Sequence, residues 1–315
     1  MLSYAARRFL GALPTLFVII TFAFFMMRLA PGGPFDSNRH LPPEIEHNIE
    51  AAYNLDKPLY EQYFIYLDNL AHFDLGPSYK TKDFTVGEMI AAGLPVSLRL
   101  GLSAMFFAIF FGIALGTIAA LNKNKPSDYG VMVLAMFGIT IPTFVTAPIL
   151  TLIFGIYGVN FLGLNLSLPV GGWNGGALQN IILPVTVLAL PQIAIISRLV
   201  RGSTIEALRS NYVRTARAKG LPTYLILWRH VLQSSLLPLV SYLGPAVAGL
   251  LTGSLIVEQI FGLPGIGRYF VNAALNRDYT LMMGVIIVYA AFIIGLNLVA
   301  DLLYAVLDPR VSYKR

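Results

Sequence analysis

The sequence predicts an all-α integral membrane protein that crosses the bilayer six times. Only 12% of its 315 residues are charged and 56% are hydrophobic, whereas about a quarter of a soluble domain's residues are charged. The apolar residues also gather in five runs without Asp, Glu, Lys or Arg: Phe9 to Met27, Leu100 to Asn122, Tyr129 to Ser197, Val231 to Val257 and Tyr279 to Ala300. Each run reaches the roughly 20 residues that a helix needs to cross hydrocarbon. The third is too long for one crossing. Its middle, Gly155 to Ala177, carries Gly171-Gly-Trp-Asn-Gly-Gly176 and reads as a polar-tipped loop. The expected helices on either side of it cover about Val131 to Phe154 and Leu178 to Ser197, which brings the total to six.

The first span follows Arg7-Arg8 and ends at Arg28 with no small-x-small site. It is too long for the apolar part of an export signal, so it reads as an uncleaved helix. Arg28 to Arg99 is the one sizeable polar portion. A helix is expected there from Pro43, Glu44 and Glu46, with Ile45, Ile49, Ala52 and Tyr53 on one face. A second is expected after Asp56-Lys-Pro58, with Leu59, Tyr63, Tyr66 and Leu70 on one side. Neither buries a core alone, so they are expected to lie on the bundle or on a partner. Pro14, Pro142, Pro148, Pro184, Pro191, Pro238 and Pro245 fall inside spans and are expected to bend them. The resulting division is 1–28, a tip and first span; 29–93, an extracytoplasmic helical segment; 94–305, the membrane core with a loop at 203–230; and 306–315, a tail.

Lys and Arg concentrate on one side. With the N-terminus inside, the inner segments hold Arg7, Arg8, Lys123, Lys125, Arg198, Arg201, Arg209, Arg214, Arg217, Lys219, Arg229, Arg310, Lys314 and Arg315. The short outer segments hold Arg268 and Arg277. Positive charge is enriched in cytoplasmic loops, so both termini are expected in the cytoplasm. The net charge of +6 follows from this sidedness and implies no nucleic acid, since no aromatic-interleaved basic face occurs. There are no cysteines, which excludes disulfides, thiolate metal sites and cysteine catalysis. His40, His47, His72 and His230 match no metal-ligand spacing. Glu258 and Asp301 are the acids near membrane depth and read as structural pairs or helix-end groups.

Between the fourth and fifth spans, Ser203-Thr-Ile-Glu206 reads as a capping box that starts a helix. Tyr212 to Lys219 forms a short basic helix, Gly220 suits a left-handed stop and Pro222 forbids continuation. On charge alone this is a juxtamembrane loop on anionic lipid. After the glycine come Leu221-Pro222, Trp228-Arg229-His230-Val-Leu232 and Leu236-Leu237-Pro238. That order resembles the cytoplasmic EAA loop of membrane subunits from bacterial ATP-binding-cassette (ABC) importers, in the form used by peptide and nickel permeases. Met27-Arg28-Leu-Ala-Pro31-Gly32, Asn54-Leu55-Asp-Lys-Pro58, Asp74-Leu-Gly76-Pro77-Ser78, Leu94-Pro95-Val-Ser97-Leu98, Gly262-Leu-Pro264-Gly265-Ile-Gly267 and Asn276-Arg-Asp278-Tyr279 also resemble that family, in its order. The likeness covers essentially the whole chain. Over Arg28 to Arg99 it is greatest to the B-type permease subunit of oligopeptide importers.

The resemblance implies a type I ABC importer transmembrane fold with a small extracytoplasmic helical insertion, in the bacterial inner membrane. It places Arg214, Thr215, Ala216, Arg217, Ala218, Lys219 and Gly220 in a coupling helix seated in a groove of an ATPase subunit. The general signature begins Glu-Ala-Ala where this chain has Arg214, Thr215 and Ala216, and its final proline aligns with Gln233; the peptide branch shares both differences. Gly262, Pro264, Gly265 and Gly267 are implied to form a gate at the outer mouth. No Gly-Lys pair occurs, so no phosphate-binding loop is present. The chain is therefore expected not to be an enzyme and to hold no cofactor or metal, with ATP and Mg bound by partners. Those partners are a second homologous permease, two ATPase subunits and an extracytoplasmic peptide-binding protein. Oligopeptide import is the implied function, with dipeptide, glutathione or nickel import as alternatives. An ion-coupled carrier would need paired acids or broken helices at mid-membrane, and an intramembrane enzyme would need clustered polar groups there.

Overall fold

In a computed structural model, residues 2–29, 51, 53–81, 83–161 and 164–307 are described, with side chains except at 2–7, 160–166, 252–253 and 303–307. The helix expected from Pro43 and the imidazoles of His40 and His47 lie outside these residues, as do 308–315 of the tail. Five helices are long and apolar enough to cross a membrane, and a bent pair, counted as one span, makes six.

Helix α1 (Leu2–Leu29) is the first span. Helix α2 (Leu59–Ala71) follows Pro58 as expected and buries no residue completely. It lies on the bundle: Tyr63 and Tyr66 meet Phe24 of α1 at ring separations of 5.3 and 5.6 Å, and the hydroxyls of Tyr63 and Thr21 are 2.7 Å apart. Helix α3 (Val86–Leu121) opens on a capping box, in which Thr85 Oγ1 accepts from the Glu88 amide and the Glu88 carboxylate from the Thr85 amide. The expected boundary at 93 therefore falls inside a helix.

The next passage is broken where a single helix over Val131 to Phe154 was expected. Helix α4 (Pro126–Thr140) stops at Ile141, because the residue before a proline is pushed out of helical geometry. Helix α5 (Thr143–Leu150) leaves at 107° and widens into a π-turn over Thr151–Tyr157. A small antiparallel hairpin follows, β1 (Val159–Phe161) with β2 (Leu164–Leu166), which pairs Val159 with Leu166. The glycine-rich loop beyond it is held by Asn180, whose Nδ2 donates to the Gly171 and Gly172 carbonyls at 3.1 and 3.0 Å.

Helix α6 (Leu178–Leu208) runs past the expected end at Ser197. No helix starts at Ser203, because α6 is already helical through that residue and the hydroxyl lies 3.0 Å from the Leu199 carbonyl one turn back. It also lies 2.7 Å from the Ser235 carbonyl across the bundle. The added turns carry Arg201, whose guanidinium forks onto the buried Asp128 at the start of α4. The remaining elements are α7 (Asn211–Ala218), α8 (Thr223–Ile226), a π-turn over Leu227–Val231, α9 (Leu232–Ser235), α10 (Leu237–Phe261), α11 (Ile266–Asn276) and α12 (Tyr279–Leu307).

The core lies between α3 and α6, the most extensively packed pair. Ala104, Ala108, Gly112, Gly116 and Ala120 fall at four-residue spacing on α3 and are all buried. A Cβ on Gly112 would strike Ile196 and one on Gly116 the Ser197 carbonyl. Small residues thus let the two backbones approach closely, which favours helix association where lipid offers no hydrophobic drive. Alternate passages leave two polar ends. The basic end holds Arg8, 2.9 Å from Asp301, with the α3–α4 connection and 209–236. The opposite end holds 53–81, 83–85, 158–161, 164–177 and 262–278.

Candidate functional site

At the basic end, α7 is amphipathic. Val213 and Ala216 point inward and pack with Ala207 of α6, Ile226 of α8 and Val231. The expected coupling residues therefore divide. Arg214, Thr215, Arg217, Ala218, Lys219 and Gly220 are exposed, whereas Ala216 is a packing residue. Gly220 has φ +74° and its amide donates to the Arg217 carbonyl at 2.9 Å, while the Leu221 amide reaches the Ala216 carbonyl at 3.3 Å. A Cβ there would meet nothing, so the need for glycine is conformational, worth about 1–2 kcal/mol.

Two polar contacts lie across the same segment. The hydroxyls of Tyr212 and Ser234 lie 2.8 Å apart, linking α7 to α9, and the Ser203–Ser235 bond ties α6 to α9. Beyond Pro222 the π-turn sits between Ile226 and Val231, both buried, and leaves Tyr224 and Trp228 exposed. The outer face of this unit therefore presents Arg214, Arg217, Lys219 and Arg229 with two aromatic rings. It is suited to an anionic or polar macromolecular surface.

At the opposite end, the turn after α10 is organised by Glu258, which is fully buried. Its Oε1 accepts from Ser97 Oγ and Ser254 Oγ, each at 2.7 Å. Its Oε2 accepts from the amides of Gly267 and Arg268 at 2.8 and 3.3 Å. Ser97 Oγ in turn accepts from the Ile266 amide at 3.0 Å. The first three amides of α11 are thus capped by side chains of α3 and α10, and the carboxylate sits at the positive end of that helix. This bears out a helix-end role for Glu258.

The glycines of the turn have separate reasons. Gly262 takes the left-handed conformation that ends α10, with φ +63°. A Cβ on Gly265 would collide with the Glu258 carboxylate and Ser97 Oγ, and one on Gly267 with the Leu255 backbone. Pro264 lies between them, half-buried.

A second buried carboxylate, Asp278, lies just past α11 and ties the 78–79 segment to the first turn of α12. Asp278 accepts from Ser78 Oγ, from the Tyr79 amide at 3.2 Å, from Thr280 Oγ1 at 3.0 Å and from the Leu281 amide at 3.2 Å. Burial pushes the Tyr79 phenol up from its ordinary range, partly offset by Arg28, whose Nη2 donates to its oxygen at 3.3 Å. Ser97 and Ser78 carry none of the roles read from sequence. The only signal for them was their place in the strings Leu94-Pro95-Val-Ser97 and Asp74 to Ser78, because their partners lie 161 and 200 residues away. Among the described residues no three His, Asp or Glu side chains converge on one point. What these groups offer is charge, capping and rigidity.

Two family profiles match the chain. One describes the binding-protein-dependent transport system inner membrane component and matches residues 112–313; the other describes the N-terminal part of such components and matches residues 1–101. The oligopeptide transport system permease protein OppB of Escherichia coli K12 is 53% identical over 99% of this chain and all of its own length. OppB of Haemophilus influenzae is 51% identical over the same shares. The dipeptide transport system permease protein DppB of Bacillus subtilis is 40% identical over 99% of this chain and 98% of its own. Among solved structures, a chain of an amino acid ABC transporter crystallised with histidines superposes with a TM-score of 0.50 at 18% identity, covering 71% of this chain and 95% of that one.

Proposed function

This chain belongs to the family of binding-protein-dependent transport system inner membrane components, and from that premise we propose that it is the permease subunit of an ATP-driven importer that carries oligopeptides into the cytoplasm. In this reading the basic end faces the cytoplasm with both termini, and a second homologous permease completes the pathway. Two ATPase subunits bind ATP and Mg and do the hydrolysis, so this chain has no ATPase activity of its own. A peptide-binding protein delivers its load at the opposite end. Relatives named for oligopeptides stand at 51% and 53% identity and one named for dipeptides at 40%, which supports the longer substrate.

The observation that carries the mechanism is the double attachment of α7. Its inner face is packed against α6 on one side and against the segment leading into α10 on the other. A force on the exposed cations therefore turns two membrane helices together instead of flexing a loop. Seating in a groove of the ATPase would use Arg214, Arg217 and Lys219 for register and encounter rate more than for affinity.

The test is the triple variant Arg214→Glu, Arg217→Glu, Lys219→Glu, co-expressed with its partners. It should insert normally in the membrane, retain at least tenfold less ATPase subunit on purification, and lose ATP-dependent uptake of a labelled tripeptide in proteoliposomes. Wild-type uptake by this variant would remove α7 from the coupling path.

A further inference from the structure

We propose that the cavity between α11 and a wall of 80–81 and 84–92 binds an extended peptide by its backbone, a transit site for the imported substrate ahead of the membrane passage. The inference rests on the reading above for what is carried, and adds where this chain holds it. The cavity measures about 780 Å³, within the few hundred to about 1,000 Å³ typical of small-ligand sites. It is separate from the basic coupling surface and lies at the opposite end of the bundle.

Its walls are rigidly framed. Helix α11 is fixed at its start by Glu258 and Ser97, and its last turn is closed by the Asp278 amide, which donates to the Ala273 carbonyl at 2.9 Å. Asp278 simultaneously holds Ser78 and Tyr79, where the facing wall begins, and the Thr85–Glu88 box fixes that wall's turn into α3. A site framed at both ends needs little ordering on binding, which lowers the entropic cost of capture.

The lining suits a peptide backbone. Asn272 and Asn276 stand one turn apart on α11 and both face the cavity, a separation of about 6 Å from the helical rise. Alternate residues of an extended chain repeat at about 6.6–6.8 Å, so the two amides match successive backbone groups on one edge of a peptide. Each side-chain amide offers both donor and acceptor. Asn276 Nδ2 already donates to the Asn272 carbonyl at 2.8 Å, which leaves its Oδ1 to accept a peptide N–H. Lys80 and Glu88 bring both signs of charge to the same cavity, and Tyr269 and Phe84 bring ring surface. Opposite charges serve a zwitterionic chain's two termini, whereas a purely anionic or purely cationic ligand would be repelled by one of them. Backbone recognition with ring surface for side chains would leave the peptide's sequence largely unread.

The assembled transporter in nanodiscs, without its binding protein, is exposed to a tripeptide carrying benzoylphenylalanine at its centre and irradiated. Label should map to 80–81, 84–92 and 269–276, and unlabelled Ala-Ala-Ala should compete it away. The double variant Asn272→Leu, Asn276→Leu should cut labelling at least fivefold while basal ATPase activity and subunit assembly stay unchanged. Label elsewhere, or undiminished in the double variant, overturns the site. So does a cavity protected by the binding protein yet indifferent to free peptide, which would make it a protein-docking surface. A wild-type complex that takes up peptide but is unlabelled here defeats this inference alone, whereas one that takes up no peptide defeats the reading beneath it.

Discussion

At the basic end α7 rests on Val213 and Ala216 and keeps its charges outside, whereas at the opposite end α11 is held at its start by Glu258, a carboxylate kept inside. Both helices are short and neither crosses the membrane. A surface handle seated by a few apolar side chains can be loaded and moved as a unit. A helix whose terminal amides are capped by residues from other helices cannot shift without stranding buried donors, each worth about 1–3 kcal/mol when left unsatisfied. The contrast assigns mobility to one end and fixity to the other.

The sharpest way to break this contrast is Glu258→Ala. It leaves the Ser97 hydroxyl and the Gly267 and Arg268 amides without their acceptor, while Ser254 can turn to the Leu251 carbonyl, a loss of at least about 3 kcal/mol. The thermal midpoint of the purified complex should fall sharply, with Glu258→Gln, which keeps one acceptor oxygen, falling less. A midpoint equal to wild type in the alanine variant would mean that α11 is not held as described.

Val213→Asp should cost about 2–4 kcal/mol, the price of a buried charge without a partner, and the damage should stay local. Trypsin should cleave at Arg214, Arg217 or Lys219 much faster than in wild type while the midpoint of the bundle changes little. A drop as large as that of Glu258→Ala would erase the distinction between the ends. The smallest effect belongs to Asp301→Asn, which removes the exposed pair with Arg8. An exposed pair contributes below about 1 kcal/mol, so midpoint and uptake should match wild type, and a larger loss would make the α1–α12 contact a third fixed point.

The membrane passages were legible because absence of charge over about 20 residues is a physical requirement of hydrocarbon. Where charge is tolerated, that signal ends too early: α6 continues beyond Ser197 because Arg201 has Asp128 to pair with. The string Ser203-Thr-Ile-Glu206 has the form of a capping box, yet the working box is Thr85-Val-Gly-Glu88. The form is the same at both places, and only tertiary packing decides whether the chain before it is already helical. Pro142 signalled a bend without its size, since 107° depends on what α5 packs against. At the candidate site, the run of cations and the stop at Gly220 were readable from local spacing, and the inward turn of Ala216 was not. Glu258 was visible as a lone acid at the end of an apolar run. Ser97 was invisible as its partner, because no periodicity connects residues 161 apart.

The capping of α11 by distant helices also bears on biogenesis. Ser97 leaves the ribosome long before Glu258, so one of the acid's four donors is already in place on an earlier helix when it reaches the bilayer. Until those two segments meet, a carboxylate and three free amides are stranded in or beside lipid. Assembly of this end is therefore cooperative: the acid and the α11 amides find their partners in the same step that docks α3 on α10.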